Sequence, residues 1–150
     1  MTNYDLIIKQ MEALAEESSD YIPVMSNVSA ILFHAMEDIN WAGFYIVKDD
    51  SLILGPFQGN VACVRIQKGK GVCGTAWEKD QAQLVPDVHE FPGHIACDAA
   101  SRSEVVIPIH MDSRVFAVLD IDSPSLARFS DEDLAGLTKL VEAIERILFG

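Results

Sequence analysis

Glu104-Val-Val-Ile-Pro-Ile-His110 and Val115-Phe-Ala-Val-Leu-Asp-Ile121, joined by Met111-Asp-Ser-Arg114, decide how this chain folds. Both runs are rich in branched residues, as strands are, and a connection this short joins antiparallel neighbours. Upstream, Trp41-Ala-Gly-Phe-Tyr-Ile-Val47 and Leu52-Ile-Leu-Gly-Pro-Phe57 repeat the pattern around the turn Lys48-Asp-Asp-Ser51. Val61-Ala-Cys-Val-Arg-Ile66 reads as a third strand, and Ala82-Gln-Leu-Val85, stopped by Pro86, as a short fourth. Between those two, a short helix is expected over Val72 to Glu78.

Helical spacing governs both ends of the chain. Leu6, Ile7, Met11 and Leu14 predict a helix over roughly 4–17, and Ile22, Met25, Val28, Leu32 and Met36 a second over roughly 22–38. Ser130-Asp-Glu-Asp133 caps a last helix striped by Leu134, Leu137, Val141, Ile144 and Leu148. Six strands with hairpin turns and flanking helices make an α+β architecture in one domain, 1–150. From Pro86 to Ser103 nothing is periodic. A loop of that length in a compact domain usually does something.

Composition removes several function classes. A net charge of −12 repels phosphate backbones and anionic lipid, so nucleic acid and membranes are poor partners. No apolar run approaches the roughly 20 residues a membrane span needs. The first twenty residues lack the basic start of a signal peptide, so a cytoplasmic, reducing setting is expected. There, three cysteines are thiols before they are structural disulfides.

Those three, Cys63, Cys73 and Cys97, fall within one stretch. Each can pack as a small hydrophobe, a reading that suits Cys63 in its apolar run best and Cys97 in its polar loop least. Zinc held by the three sulfurs with His94 or His89 is a second reading, although no C-x2-C pair exists. Thiol redox catalysis is the third, and the loop around Cys97 has slack to reach either partner.

Three carboxylates stand in apolar company. Glu104 opens its strand, and alternation puts Phe116, Val118, Asp120 and Asp122 on one face of the other. Strand-end carboxylates usually reach water, yet two on one face repel, and burial would raise at least one pKa. Trp41 and Tyr45 also share a face. Aromatic walls over an acidic floor suit a small zwitterion.

Six segments together resemble the free methionine-(R)-sulfoxide reductases, which are stand-alone GAF-domain enzymes. They are Trp41-Ala-Gly-Phe-Tyr45, Gly69-Lys-Gly-Val-Cys-Gly-Thr-Ala76, Val85-Pro-Asp-Val88, Phe91-Pro-Gly-His-Ile-Ala-Cys97, Ser103-Glu-Val-Val-Ile-Pro108 and Val118-Leu-Asp-Ile-Asp-Ser123. The resemblance implies a GAF-like, six-stranded antiparallel sheet flanked by helices. It implies Cys97 as nucleophile, Cys63 and Cys73 as candidates to resolve it, and a substrate pocket of Trp41, Tyr45, Glu104, Asp120 and Asp122.

Chemistry on these residues would run through a sulfenic acid and a disulfide, reset by a dithiol such as thioredoxin, with no metal or organic cofactor. Glu104 and Asp122 are the candidate acids. Many relatives are homodimers, which nothing in this sequence decides. Cys63, expected inside a strand, is the less mobile partner, and this favours Cys73 as the resolving thiol. A GAF module that senses a small molecule without turning it over is the alternative.

Overall fold

The computed structural model describes residues 1–95 and 97–150. Helices α1 (Tyr4–Ala15) and α2 (Tyr21–Ala35) lead into the hairpin of β1 (Trp41–Lys48) and β2 (Ser51–Gly59). Then come β3 (Arg65–Gln67), α3 (Gly71–Lys79), β4 (Gln83–Val85), a 3-10 turn (Val88–Glu90), the hairpin β5 (Ser103–Met111) and β6 (Arg114–Ser123), and α4 (Asp131–Phe149). One antiparallel sheet in the order β3-β2-β1-β6-β5-β4 contains all six strands.

Strand alternation divides the interior in two. Ala42, Phe44, Val105, Ile107, Leu119 and Ile121 face α1, α2 and α4, where they bury against Met25, Leu32, Leu137, Leu140 and Ile144. The opposite face carries Trp41, Tyr45, Val106 and Val118, packed under α3 with Val72, Ala76 and Trp77. Ser130 and Asp133 form a reciprocal capping box at the start of α4; such caps contribute on the order of 1 kcal/mol. Gly136 sits inside α4 at a propensity cost because the ring of Tyr4 lies where a side chain would be. The Tyr4 hydroxyl also donates to Asp133 at 2.6 Å, fixing α1 to α4.

Several expectations need correction. The first two helices end at Ala15 and Ala35, a turn or less before 17 and 38. Leu6, Leu14 and Ile22 face solvent; the inner faces are Ile7 and Met11, then Val24, Met25, Val28 and Leu32.

Phe116 does not share a face with Val118, Asp120 and Asp122. Ile109 pairs with Ala117 but His110 with Val115, so Phe116 is an extra residue in β6. That bulge turns it to the helical side, edge-on to Tyr21 and Phe149.

The third strand is shorter than Val61–Ile66. It begins only at Arg65, and Val61 and Val64 stand in solvent. Cys63 therefore lies in a loop at the sheet edge.

Candidate active site

The pocket is built by register. Glu104 of β5 lies opposite Asp122 of β6, and Val106 opposite Asp120. On the other side of β6, Trp41 pairs with Asp122, Gly43 with Asp120 and Tyr45 with Val118. The period of two thus brings three carboxyls and two aromatic rings to one face. Gly43 is required there because a side chain would press into Pro56 and Phe57 of β2, where Gly55-Pro56 forms a bulge. Trp41 stacks between Phe57 and Tyr45, with ring centroids 5.2 and 5.9 Å away.

The first turn of α3 makes the roof. Gly71, Val72 and Cys73 line the cavity with Lys70, the helix's N-cap, which makes no side-chain capping bond. The Cys73 thiol lies 4.0 Å from Glu104 Oε2. A side wall comes from the 91–101 loop, through His94, Ile95, Cys97, Asp98 and Ser101. The cavity measures about 50 Å³.

Cys63 and Cys97 form a disulfide, their Cα atoms 5.4 Å apart. Cys73 is the free thiol, and it is buried. The partner of Cys97 is therefore Cys63, not the favoured Cys73. Cys63 is not held in a strand, so it is free of the restraint that its apolar run predicts. Its loop is positioned by aromatic anchors instead: Trp41 Nε1 donates to Asn60 O (3.1 Å) and the Tyr45 hydroxyl to Cys63 O (2.9 Å). The sulfur set considered for zinc is not assembled, because two of its members are bonded to each other. Cys73, Glu104 and Asp120 do place one donor atom each within 4.8 Å of the others, a geometry that can hold a cation.

Electrostatics divides the labour among the acids. Glu104 and Asp120 are 8% and 5% exposed. Burial lifts Glu104 well above the usual carboxylate range, and Asp120 and Asp122 lift it further. Asp122 rises well above that range for the same reasons, burial first and then the charge of Asp120. Burial also raises Asp120, but hydrogen bonding with Glu104, Cys73 and Asp122 pulls it back. Three carboxyls buried side by side cannot all ionise. Asp120, whose rise is offset by these hydrogen bonds, is the least raised of the three.

Burial and the same acids push the Cys73 thiol up, which keeps it protonated and poorly nucleophilic. The Tyr45 phenol is held neutral by burial and by Asp120. One oxygen each of Asp120 and Asp122 is buried with no hydrogen-bond partner in the protein. Such groups call for a donor from outside.

Asn40 carries no signal in the sequence, where it reads only as a helix stop. Its side-chain amide donates to Asp98 Oδ2 and to Ser101 Oγ, both at 3.1 Å, and moors the loop that bears Cys97. Its backbone N–H bonds Asp122 O at 2.9 Å, tying that mooring to the acidic floor. Among the described residues, no helix is long and apolar enough to cross a membrane.

A family model for the GAF domain matches residues 25–148. The free methionine-R-sulfoxide reductase of Escherichia coli is 51% identical over 140 residues, covering 93% of this chain and 85% of that protein. The reduced form of fRMsr of Staphylococcus aureus superposes with a TM-score of 0.95 at 51% identity, covering 99% of this chain and 96% of the other. Its complex with substrate gives 0.93 at 50% identity, covering 99% and 97%. The chain belongs to the GAF-domain family and, within it, to the free methionine-R-sulfoxide reductases.

Proposed function

We propose that this protein reduces free L-methionine-(R)-sulfoxide to methionine through its paired cysteines. The observation that carries the reading is a disulfide between Cys97, on the pocket wall, and Cys63 behind it, beside three buried acids. In the reduced protein the Cys97 thiolate attacks the electrophilic sulfoxide sulfur. A protonated carboxyl, Glu104 or Asp122, gives its proton to the departing oxygen. The protonated oxygen passes from the substrate sulfur to Cys97 Sγ as the transient bond between the two sulfurs breaks, so methionine leaves and Cys97 is left as a sulfenic acid. Cys63 then attacks Cys97 Sγ, the oxygen departs as water, and the disulfide closes. Two electrons have passed from two thiols to one sulfoxide. A dithiol protein of the thioredoxin type returns them in a reducing, cytoplasmic setting.

Asp120 supports recognition of the substrate's ammonium group. It is the least raised of the three acids, and its unpartnered buried oxygen needs a donor. The uncapped first turn of α3, with Lys70 beside it, suits the α-carboxylate. Trp41 and Tyr45 would flank the thioether chain.

Both ends of a free amino acid are then read, and a peptide has neither. Chromatography should show methionine formed from the free sulfoxide. The same sulfoxide inside a peptide should react at least about 10²-fold more slowly. Equal rates would remove the ammonium and carboxylate subsites from the account.

A further inference from the structure

Cys73 is a buried nucleophile that the redox cycle above leaves unused. Its Sγ, one oxygen of Glu104 and one of Asp120 lie within 4.8 Å of one another, brought together from α3, β5 and β6. Acidic groups gather in many proteins without a ligand, so the cluster alone decides nothing. Two further observations point to one. Asp120 is only 5% exposed, and its Oδ1, like that of Asp122, is buried without a hydrogen-bond partner on the cavity wall. Among the described residues, no lysine, arginine or histidine forms an ion pair with Glu104, Asp120 or Asp122. The ammonium group of a substrate would answer Asp120, but it gives the sulfur no role.

We propose that Cys73, Glu104 and Asp120 form an inhibitory site for a zinc-type divalent cation, a regulation of the pocket that rests on the reductase reading above. One sulfur and two oxygens make a borderline donor set. Such a set favours zinc or cadmium over magnesium and calcium, which take oxygen ligands. The spacing agrees. Cys73 Sγ and Glu104 Oε2 are 4.0 Å apart, and a tetrahedral zinc ion holds a sulfur and an oxygen about 3.6 Å apart. A small rotation of either side chain makes up the difference, and water takes the fourth position.

Coordination involves no electron transfer: the ion displaces the protons carried by the thiol and the carboxyls, and these pass to water. The bound ion then occupies Asp120, which the substrate's ammonium group needs, and Glu104, a candidate proton donor. Because Cys73 stays outside the Cys63–Cys97 disulfide, the site persists in the oxidised protein.

In the oxidised full chain Cys73 is the free thiol, so a metal–sulfur signal there reports this site. Cadmium should give a thiolate-to-metal ultraviolet band that saturates at one ion per chain and survives a large excess of magnesium. Zinc should displace the cadmium and erase the band. Glu104→Gln and Asp120→Asn keep side-chain shape, and each should weaken cadmium binding on the order of 10-fold or more. Circular dichroism checks that both variants fold. Absence of the band overturns the site, and so does parent affinity in both variants, which would mean that the sulfur binds alone.

Inhibition is read in the reduced protein at buffered zinc, as methionine formed in a single turnover. Cys73→Ser should need at least about 10-fold more zinc than the parent for half-inhibition. Equal sensitivity of the two would place the zinc on Cys63 and Cys97 and refute the regulation. A protein that binds cadmium as expected yet leaves methionine sulfoxide untouched keeps the cation site and loses only the reductase reading.

Discussion

Replacing Cys97 by serine should abolish methionine release even in a single turnover, by at least about 10³-fold, because the attacking sulfur is gone. Cys63→Ser should behave differently. The burst of methionine survives, since resolution follows the first chemical step. Cys97 then remains a sulfenic acid, which a dimedone-type trap should label, and thioredoxin-driven turnover collapses while a small monothiol restores part of it. Cys73→Ser should still form the Cys63–Cys97 disulfide, because Cys73 lies beside Glu104 rather than on the path between the other two sulfurs. Any rate it loses would come from the disturbed acid cluster. A burst that survives in Cys97→Ser and vanishes in Cys73→Ser would exchange the assigned roles.

The second large effect belongs to the acids. Glu104→Gln and Asp122→Asn keep shape but cannot donate a carboxylic proton, and each should lower kcat/KM on the order of 10²-fold or more. The pH profile should identify the donor. Burial lifts both carboxyls above their ordinary range, so the donor form persists as pH rises and is lost only as pH passes the raised value. The single-turnover rate of the parent should therefore fall on the alkaline side of that value. The variant at the donor position should be slow and lack this limb.

Stability follows the same sign. Carboxyls raised in the fold stabilise it fully below the ordinary carboxylate range, and that contribution is lost as pH climbs through their folded values. Glu104→Gln should thus unfold no more readily than the parent at neutral pH, which separates a catalytic loss from a folding one. Near-parent kinetics in both variants would make these acids structural.

Strand period alone puts Asp120 and Asp122 on one face. Glu104 joins them only because the bulge at Phe116 shifts the register by one, which sets Glu104 opposite Asp122; an unbroken ladder from the Met111–Arg114 turn would pair it with Ile121 on the other face. Trp41 and Tyr45 meet that face through the register of β1 with β6. Phe116 escaped the rule because alternation presumes an unbroken ladder, and a bulge is not written in hydrophobicity.

Cys63 escaped for a different reason. Val61-Ala-Cys-Val-Arg-Ile66 has strand composition, yet both of its valines stand in solvent, and strand propensity carries no information about exposure. The pairing of Cys63 with Cys97 spans 34 residues and two loops, so it is a tertiary fact with no local signature. The mooring role of Asn40 depends likewise on a loop brought near by the whole fold.

Reducing the protein fully, removing the reductant, and mixing it with free L-methionine-(R)-sulfoxide tests the central claim most directly. Methionine would be quantified by chromatography and the cysteines mapped by mass spectrometry after quenching. The account predicts one methionine per chain, formed together with one Cys63–Cys97 disulfide, while Cys73 stays alkylatable once the chain is unfolded. Binding of the sulfoxide with no methionine released and all three thiols intact would contradict it, and would make this domain a sensor of its ligand rather than an enzyme.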